Sequence, residues 1–375
     1  MQGRILSIQS HVSFGYVGGK AAVFPLQCLG FDVDVVNTVN FSNHSGYGRA
    51  GGSKVAAAEL KAVFDGMHEN ELINPARILT GYIPGAEALS TIADIVQKLI
   101  DEDPSRIYLL DPVMGDAGRL YVAEDVIPVY QRMLHMATII TPNWFEVETL
   151  TETPLHDMGS LRCALRTLHT KYGVPHVVIS SIPLSGWLAT ALPESVRPAA
   201  GSTEEHLLCI TSSRCVDRED SERVASVVHA RAVPLIPGYF SGVGDMFSAL
   251  VLGHYDRMSA SAATSHTPVS TATSWALART HVVLQRTHEY SMSLPEDERQ
   301  PSDDEKDRAN PHPKTRRMRG RELRLVQSQD ILRDETQPPE LMPWTDFWMA
   351  IATTVVACIR AREWKTSNCK LMGQA

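Results

Sequence analysis

Short apolar runs alternate with longer amphipathic stretches through the first half of the chain. Ile5–Ile8, Val33–Val36, Arg77–Thr80, Ile107–Leu110, Thr138–Ile140 and Val177–Ile179 read as strands. Between them, Gly19–Leu29 (closed by Gly30), Ala56–His68, Ala86–Ile100, Glu124–Leu134 and Leu161–Tyr172 have helical spacing. Such apolar strands are buried on both faces, and crossover helices make neighbouring strands parallel. The pattern predicts a layered α/β fold. Ligands of such sheets sit beyond the carboxyl ends of the strands. There the chain carries Ser10, Asn37 to Gly46, Gly81–Tyr82, Asp111 to Asp116, Thr141 to Glu146 and Ser180–Ser181, nearly all polar or glycine.

The second half is less regular. Ser185 to Glu205 and the Ser/Thr/Ala tract Ser259 to Ser274 read as loops. The charged stretch Leu294 to Asn310 predicts a disordered insertion, bounded at 291–313. The basic run Lys314 to Arg324 reads as a solvated linker end. From Pro338 no period is visible, and 336–375 is expected to be a poorly ordered extension of a domain spanning 1–335.

Composition narrows the class. Hydrophobic residues make up 43% of 375, enough for a large core. The net charge is -8, which argues against a general nucleic-acid binder. The six cysteines form no CxxC pair and suit neither a zinc site nor a disulfide framework, so independent thiols in a cytosolic protein are expected. The longest uncharged apolar run, Phe347 to Ile359, is too short for the roughly 20 residues that span a bilayer. No membrane partner is expected.

Chemistry concentrates in a few loops. In Gly238 to Leu250 a glycine turn, Gly242-Val243-Gly244, leads into a helix starting near Asp245. Backbone N–H groups at a helix start favour anions and suit a phosphoryl group in transit. A carboxylate there makes sense as a base taking a proton from an attacking hydroxyl. The alternative is an Asp N-cap. Asp111 and Asp116, after a strand and stiffened by Pro112, either hold cations near a triphosphate or form a turn and a cap. In Thr141 to Glu146, Asn143 and Glu146 have capping-box spacing, and Glu146 is also a candidate for a metal-bound water. Ser7 to Gly18 and Phe41 to Gly48 are loops dense in hydroxyls, His and aromatics, suited to a small polar ring. His11 and His44 read as hydrogen-bonded structural residues.

Together these segments resemble the pyridoxal kinase family of the ribokinase-like superfamily, in its fungal form. The resemblance rests on LSIQSHV at Leu6–Val12, GYVG at Gly15–Gly18, VNFSNHSGYG at Val39–Gly48 and LTGY at Leu79–Tyr82. It continues through DPVMGD at Asp111–Asp116, ITPNWFE at Ile140–Glu146, GYFSGVGDMF at Gly238–Phe247, HVVLQRT at His281–Thr287 and RELRLVQSQDIL at Arg321–Leu332. It implies a three-layer fold and ATP-dependent phosphorylation of the 5′-hydroxyl of pyridoxal, pyridoxine or pyridoxamine. By the same resemblance Asp245 is the catalytic base. Ser10, Val17, Phe41, Ser45 and Tyr82 bind the vitamer. Asn143, Ser180, Ser181, Gly242, Val243 and Gly244 serve ATP. Asp116 and Glu146 serve Mg²⁺, and Asp111 and Thr141 lie near a monovalent cation, K⁺ or Na⁺. A homodimer in the cytoplasm, with the nucleus open as a second compartment, is also implied. Val243 stands where the family usually carries Thr, so reduced rather than abolished activity is expected. A hydroxymethylpyrimidine kinase of thiamine synthesis and a non-catalytic B6- or nucleotide-binding protein are the rival readings.

Overall fold

The computed structural model describes residues 3–199, 204–215, 226–258, 266–299 and 311–349. Its parallel strands are β1 (Ile5–Val12), β2 (Val33–Phe41), β4 (Arg77–Thr80), β5 (Ile107–Leu110), β8 (Ile139–Ile140) and β9 (His176–Pro183). Around them stand β3 (Gly52–Lys54), β10 (His206–Arg214), β11 (Ser226–Pro234) and β12 (Met342–Pro343), while β6 (Gly115–Asp116) and β7 (Arg119–Leu120) form a separate hairpin. The main sheet runs β12-β11-β10-β9-β8-β5-β4-β1-β2-β3. Its middle is parallel and its two edges are antiparallel.

Alternation along the strands builds two cores. Successive side chains on a strand point to opposite faces. Tyr108 and Leu110 therefore enter one cluster and Leu109 the other, and Val177, Val178 and Ile179 divide the same way. The first cluster is covered by α2 (Ala57–Glu69), α3 (Ala86–Glu102), α4 (Ile127–Met133), α5 (Trp144–Thr151) and α6 (Met158–Thr170). The second lies under α1 (Gly19–Cys28), α8 (Val243–His254) and α9 (Pro268–Met292). The result is the expected three-layer arrangement.

From β1 the chain moves to β2 on one side, then returns to β4 on the other. Right-handed crossovers in opposite directions put their helices on opposite faces. The topological rule for open α/β sheets places a ligand crevice at that reversal, between the ends of β1 and β4. Ser10 and Tyr82 flank it.

Several expectations from the sequence are corrected. Ser10, Asn37, Phe41, Ser180 and Ser181 lie on extended strands rather than in loops after them. Ser185 to Glu205 contains a short helix, α7 (Gly186–Ala191), and a 3₁₀ turn. Residues 268–274 are the first turns of α9, capped by a Thr267–Ser270 box, and residues 259–265 lie outside the described residues. Of the expected insertion, 291–299 and 311–313 have defined structure. Ser291 is buried at the end of α9, and Arg316 pairs with Asp297 at 2.8 Å; residues 300–310 lie outside the described set. The basic run is not a solvated linker. Lys314–Gly320 forms the end of a helix, Pro311–Gly320, in which Arg317 is buried.

The end of the domain also needs correction. Met342–Pro343 pairs with β11, and Leu341, Trp344 and Phe347 are buried in the two cores. The Trp348 indole N–H lies 3.0 Å from the Ser226 carbonyl and 3.2 Å from its hydroxyl. Residues 341–349 thus complete the sheet, and 350–375 lie outside the described residues. Cys28, Cys209 and Cys215 carry free thiols. No helix among the described residues is long and apolar enough to cross a membrane.

Behind this edge sits a titratable anchor. His169 Nδ1 is 2.7 Å from the Val174 carbonyl, and Nε2 is 2.8 Å from the Ser212 hydroxyl, itself 2.6 Å from Ser226. The carbonyl only accepts, so Nδ1 carries a proton. Burial lowers the His169 pKa to about 4. An unfolded His titrates near 6.5, so the unfolded state binds the extra proton first as pH falls. The stabilisation is complete above about pH 6.5 and is lost on acidification toward about pH 4, at a cost of up to about 3 kcal/mol. The urea midpoint is expected to fall between pH 7.5 and pH 5, and to fall less in His169→Gln. Equal losses in both chains would refute this assignment.

Candidate active site

Two helix starts meet at the crevice. Gly18 precedes α1 with φ 55°, and Gly242 precedes α8 with φ 79°. Neither end receives a side-chain cap, which leaves backbone N–H groups without a local acceptor and favours an anion. Only glycine fits at either position. A Cβ on Gly18 would overlap Ser10, and one on Gly242 would overlap the Tyr16 carbonyl.

Helix α8 begins at Val243, so Asp245 is its third residue and the N-cap alternative is excluded. The Asp245 Oδ2 accepts the Gly18 N–H at 2.8 Å. That bond spans 227 residues and ties the two helix starts together. Burial raises the Asp245 carboxyl above its ordinary range, opposed by the Gly18 N–H. Val243 is half-buried and Gly244 exposed, with nothing filling the space beside it.

One turn along α8, Ser248 donates to the Asp111 carboxylate at 3.0 Å. Ser248 has one proton, so Thr141, at 2.8 Å, donates to it in turn. Asp111 and Thr141 are buried, and this relay joins three elements. Burial drives the Asp111 carboxyl well above its ordinary range, and the charges of Glu146 and Asp245 add to the shift.

The Asn143–Glu146 capping box is present as expected. Glu146 does more than cap, because its Oε1 accepts the Met114 N–H at 2.9 Å while Oε2 accepts that of Asn143 at 2.9 Å. Asn143 Nδ2 donates to the Gly115 carbonyl at 2.8 Å. The pair therefore clasps the Asp111–Asp116 loop. Burial pushes the Glu146 carboxyl up to about 8, against three backbone N–H groups that lower it. Asp116 stands exposed on the β6–β7 hairpin, whose turn residues Ala117 and Gly118 have φ 48° and 78°.

β-bulges set the serines. Ile179 pairs with Ile210 and Ile182 with Leu208, so Ser180 and Ser181 together oppose Cys209. Likewise Ser10 alone faces Thr38 and Val39. Val17 and Phe41 are half-buried near this end of the sheet, Ser45 is exposed on a 3₁₀ turn, and burial raises the Tyr82 hydroxyl pKa. His44 is hydrogen-bonded, as expected, but to Glu322, which the sequence reading did not single out. Ser248 was also missed, although its spacing of three from Asp245 on a helix was a usable signal.

Asp111, Glu146 and Asp245 crowd together, and among the described residues none of them pairs with Lys or Arg. Buried carboxylates are normally paired or coordinate a cation. The described residues hold no cluster of three His, Cys, Asp or Glu that would cage a metal alone. That donor set fits Mg²⁺, which binds through one or two carboxylates, water and substrate phosphates.

A three-layer sandwich with uncapped helix starts and unpaired carboxylates at its topological switch defines a ribokinase-like protein. The family profile described as phosphomethylpyrimidine kinase matches residues 33–192. The pyridoxal kinase of Arabidopsis thaliana is 39% identical over 252 residues, 67% of this chain and 74% of that protein. The human pyridoxal kinase is 38% identical over 259 residues, 66% of this chain and 76% of that protein. The pyridoxal kinase of Leishmania donovani, solved with ADP and pyridoxine, superposes with a TM-score of 0.70 at 29% identity, covering 91% of this chain and 98% of that one. The chain belongs to the pyridoxal kinase family.

Proposed function

We propose that this chain transfers the γ-phosphoryl group of ATP to the 5′-hydroxyl of pyridoxal, pyridoxine or pyridoxamine. The observation that carries the reading is the Asp245 carboxylate, held by Gly18 between two uncapped helix starts. The vitamer lies in the crevice between Ser10 and Tyr82, walled by Val17 and Phe41 and closed by the Ser45 turn. Asp245 takes the proton of the attacking hydroxyl. The N–H groups of Val243 and Gly244 face the phosphoryl oxygens as negative charge builds there. Ser180, Ser181 and Asn143 orient the nucleotide phosphates. Most of the acceleration comes from positioning and charge neutralisation.

Asp116 and Glu146 would hold Mg²⁺, which when bound neutralises phosphate charge. Asp111 and Thr141 would line the place of a monovalent cation, with Ser248 fixing the Asp111 carboxylate. A homodimer and a cytoplasmic location remain part of this proposal, without nucleic-acid or membrane partners.

The family profile's description keeps a pyrimidine substrate in view. A coupled assay with ATP and pyridoxal, pyridoxine, pyridoxamine and hydroxymethylpyrimidine separates the readings. Turnover is expected with the B6 vitamers and not with the pyrimidine. Preference for the pyrimidine would overturn the proposal, and vitamer binding without turnover would assign a binding protein.

A further inference from the structure

Glu322 stands just beyond the helix Pro311–Gly320, far in sequence from the two loops it contacts. Its side chain is 10% exposed, and that of His44 is 9% exposed. Three donors converge on the carboxylate. Oε2 accepts the Tyr16 N–H at 2.8 Å, and Oε1 accepts the Tyr47 hydroxyl at 2.7 Å and lies 3.1 Å from His44 Nε2. All three come from the two loops that carry Val17 and Ser45. A Cβ on Gly15 would overlap this carboxylate, so the first loop lies directly against it.

The tautomer of His44 follows from its other nitrogen. Nδ1 accepts the Gly46 N–H at 3.2 Å, so Nε2 carries the proton and donates to Glu322. The same Nδ1 lies 3.3 Å from the hydroxyl of Ser241, the residue before Gly242. On the other side Tyr16 is two residues from Gly18, whose N–H is held by Asp245. The contacts close a ring. It runs from Glu322 through His44 and Ser241 into the glycine turn, on to Asp245, across to Gly18, and back through Tyr16.

We propose that Glu322 is a positioning residue, which locks the two vitamer-side loops to the glycine turn and thereby aligns Asp245. The inference rests on the reading of Asp245 as base. A merely structural side chain would be tied to core elements, whereas every donor to Glu322 belongs to a candidate substrate loop. Burial raises its carboxyl, and the donors from His44, Tyr47 and Tyr16 more than offset this, so the group stays ionised below its ordinary range.

The test compares the full chain with Glu322→Gln, which keeps the shape but turns an amide donor toward donors. Hydrogen bonds to a buried charge are strong, so kcat/KM for pyridoxal is expected to fall about 10- to 100-fold while KM for ATP stays within about twofold. Amide exchange is expected to quicken about tenfold at Tyr16 and also at Gly18, across the ring. Adding Ser241→Ala to Glu322→Gln should cost nothing further, because the ring is already open. Parent-like vitamer kinetics, unchanged protection at Gly18, or multiplying effects of the two substitutions would each overturn the proposal. Should Glu322→Gln be insoluble, Tyr47→Phe removes one donor alone, and parent-like kinetics and exchange there would overturn it equally. A parent chain that turns over no vitamer would sink the proposed function instead, and exchange at Gly18 would still decide the positioning role.

Discussion

Asp245→Asn is expected to slow phosphoryl transfer by about 10²- to 10⁴-fold, the range for losing a positioned general base. The amide keeps the size of the side chain, and one oxygen can still accept the Gly18 N–H. The joint between the helix starts therefore survives, and ATP affinity is expected to change by less than about threefold, because no proton moves on binding. Initial rates under saturating ATP and vitamer, with nucleotide binding measured by calorimetry, separate the two effects. A variant keeping more than about a tenth of the parent rate would remove Asp245 from the role of base.

A chain ending at Glu340 is expected to give no soluble enzyme. The cut removes β12 and leaves the β11 edge open. It also empties the sites of Leu341 and Phe347, both 0% exposed, and of Trp344, 3% exposed. Each aromatic truncation in a core costs about 3–5 kcal/mol, against a total stability of about 5–15 kcal/mol. Phe347→Ala isolates part of the effect, since its ring packs edge-on against both Trp344 and Trp348. Its urea midpoint is expected to fall steeply with an unchanged slope. A parent-like midpoint in that variant, or a soluble active chain ending at Glu340, would show that this segment is dispensable.

The parallel half of the sheet was legible because its strands are short apolar runs between amphipathic helices. Arg77–Thr80 and Ile107–Leu110 fall where the pattern puts them. Strand β10 was hidden by its own interior, because Thr211, Ser212 and Ser213 are buried and break the apolar run. The start of α9 was read as a loop for a related reason. Ser270, Thr273 and Ser274 are poor or neutral signals of helix, yet they are buried where α9 lies against its neighbours, and packing overrides propensity. The tail lacks any period because its aromatics fill a gap at the sheet edge rather than one face of a helix.

The site divides along the same line. Gly242, Asp245, Asn143 and Glu146 announced themselves through local turn and cap chemistry. Glu322 acts through loops some 300 residues away along the chain, and no local pattern marks such a contact. The bulges that aim Ser10 and the Ser180–Ser181 pair appear only once the strands are paired.

The most direct measurement is a crystal structure of the chain with pyridoxal and a non-hydrolysable ATP analogue. The account predicts an Asp245 carboxylate oxygen within about 2.6–3.2 Å of the vitamer 5′-oxygen, or one water away, with the terminal phosphate facing the Val243 and Gly244 N–H groups. An Asp245 side chain turned from the hydroxyl, with the phosphate held elsewhere, would contradict it.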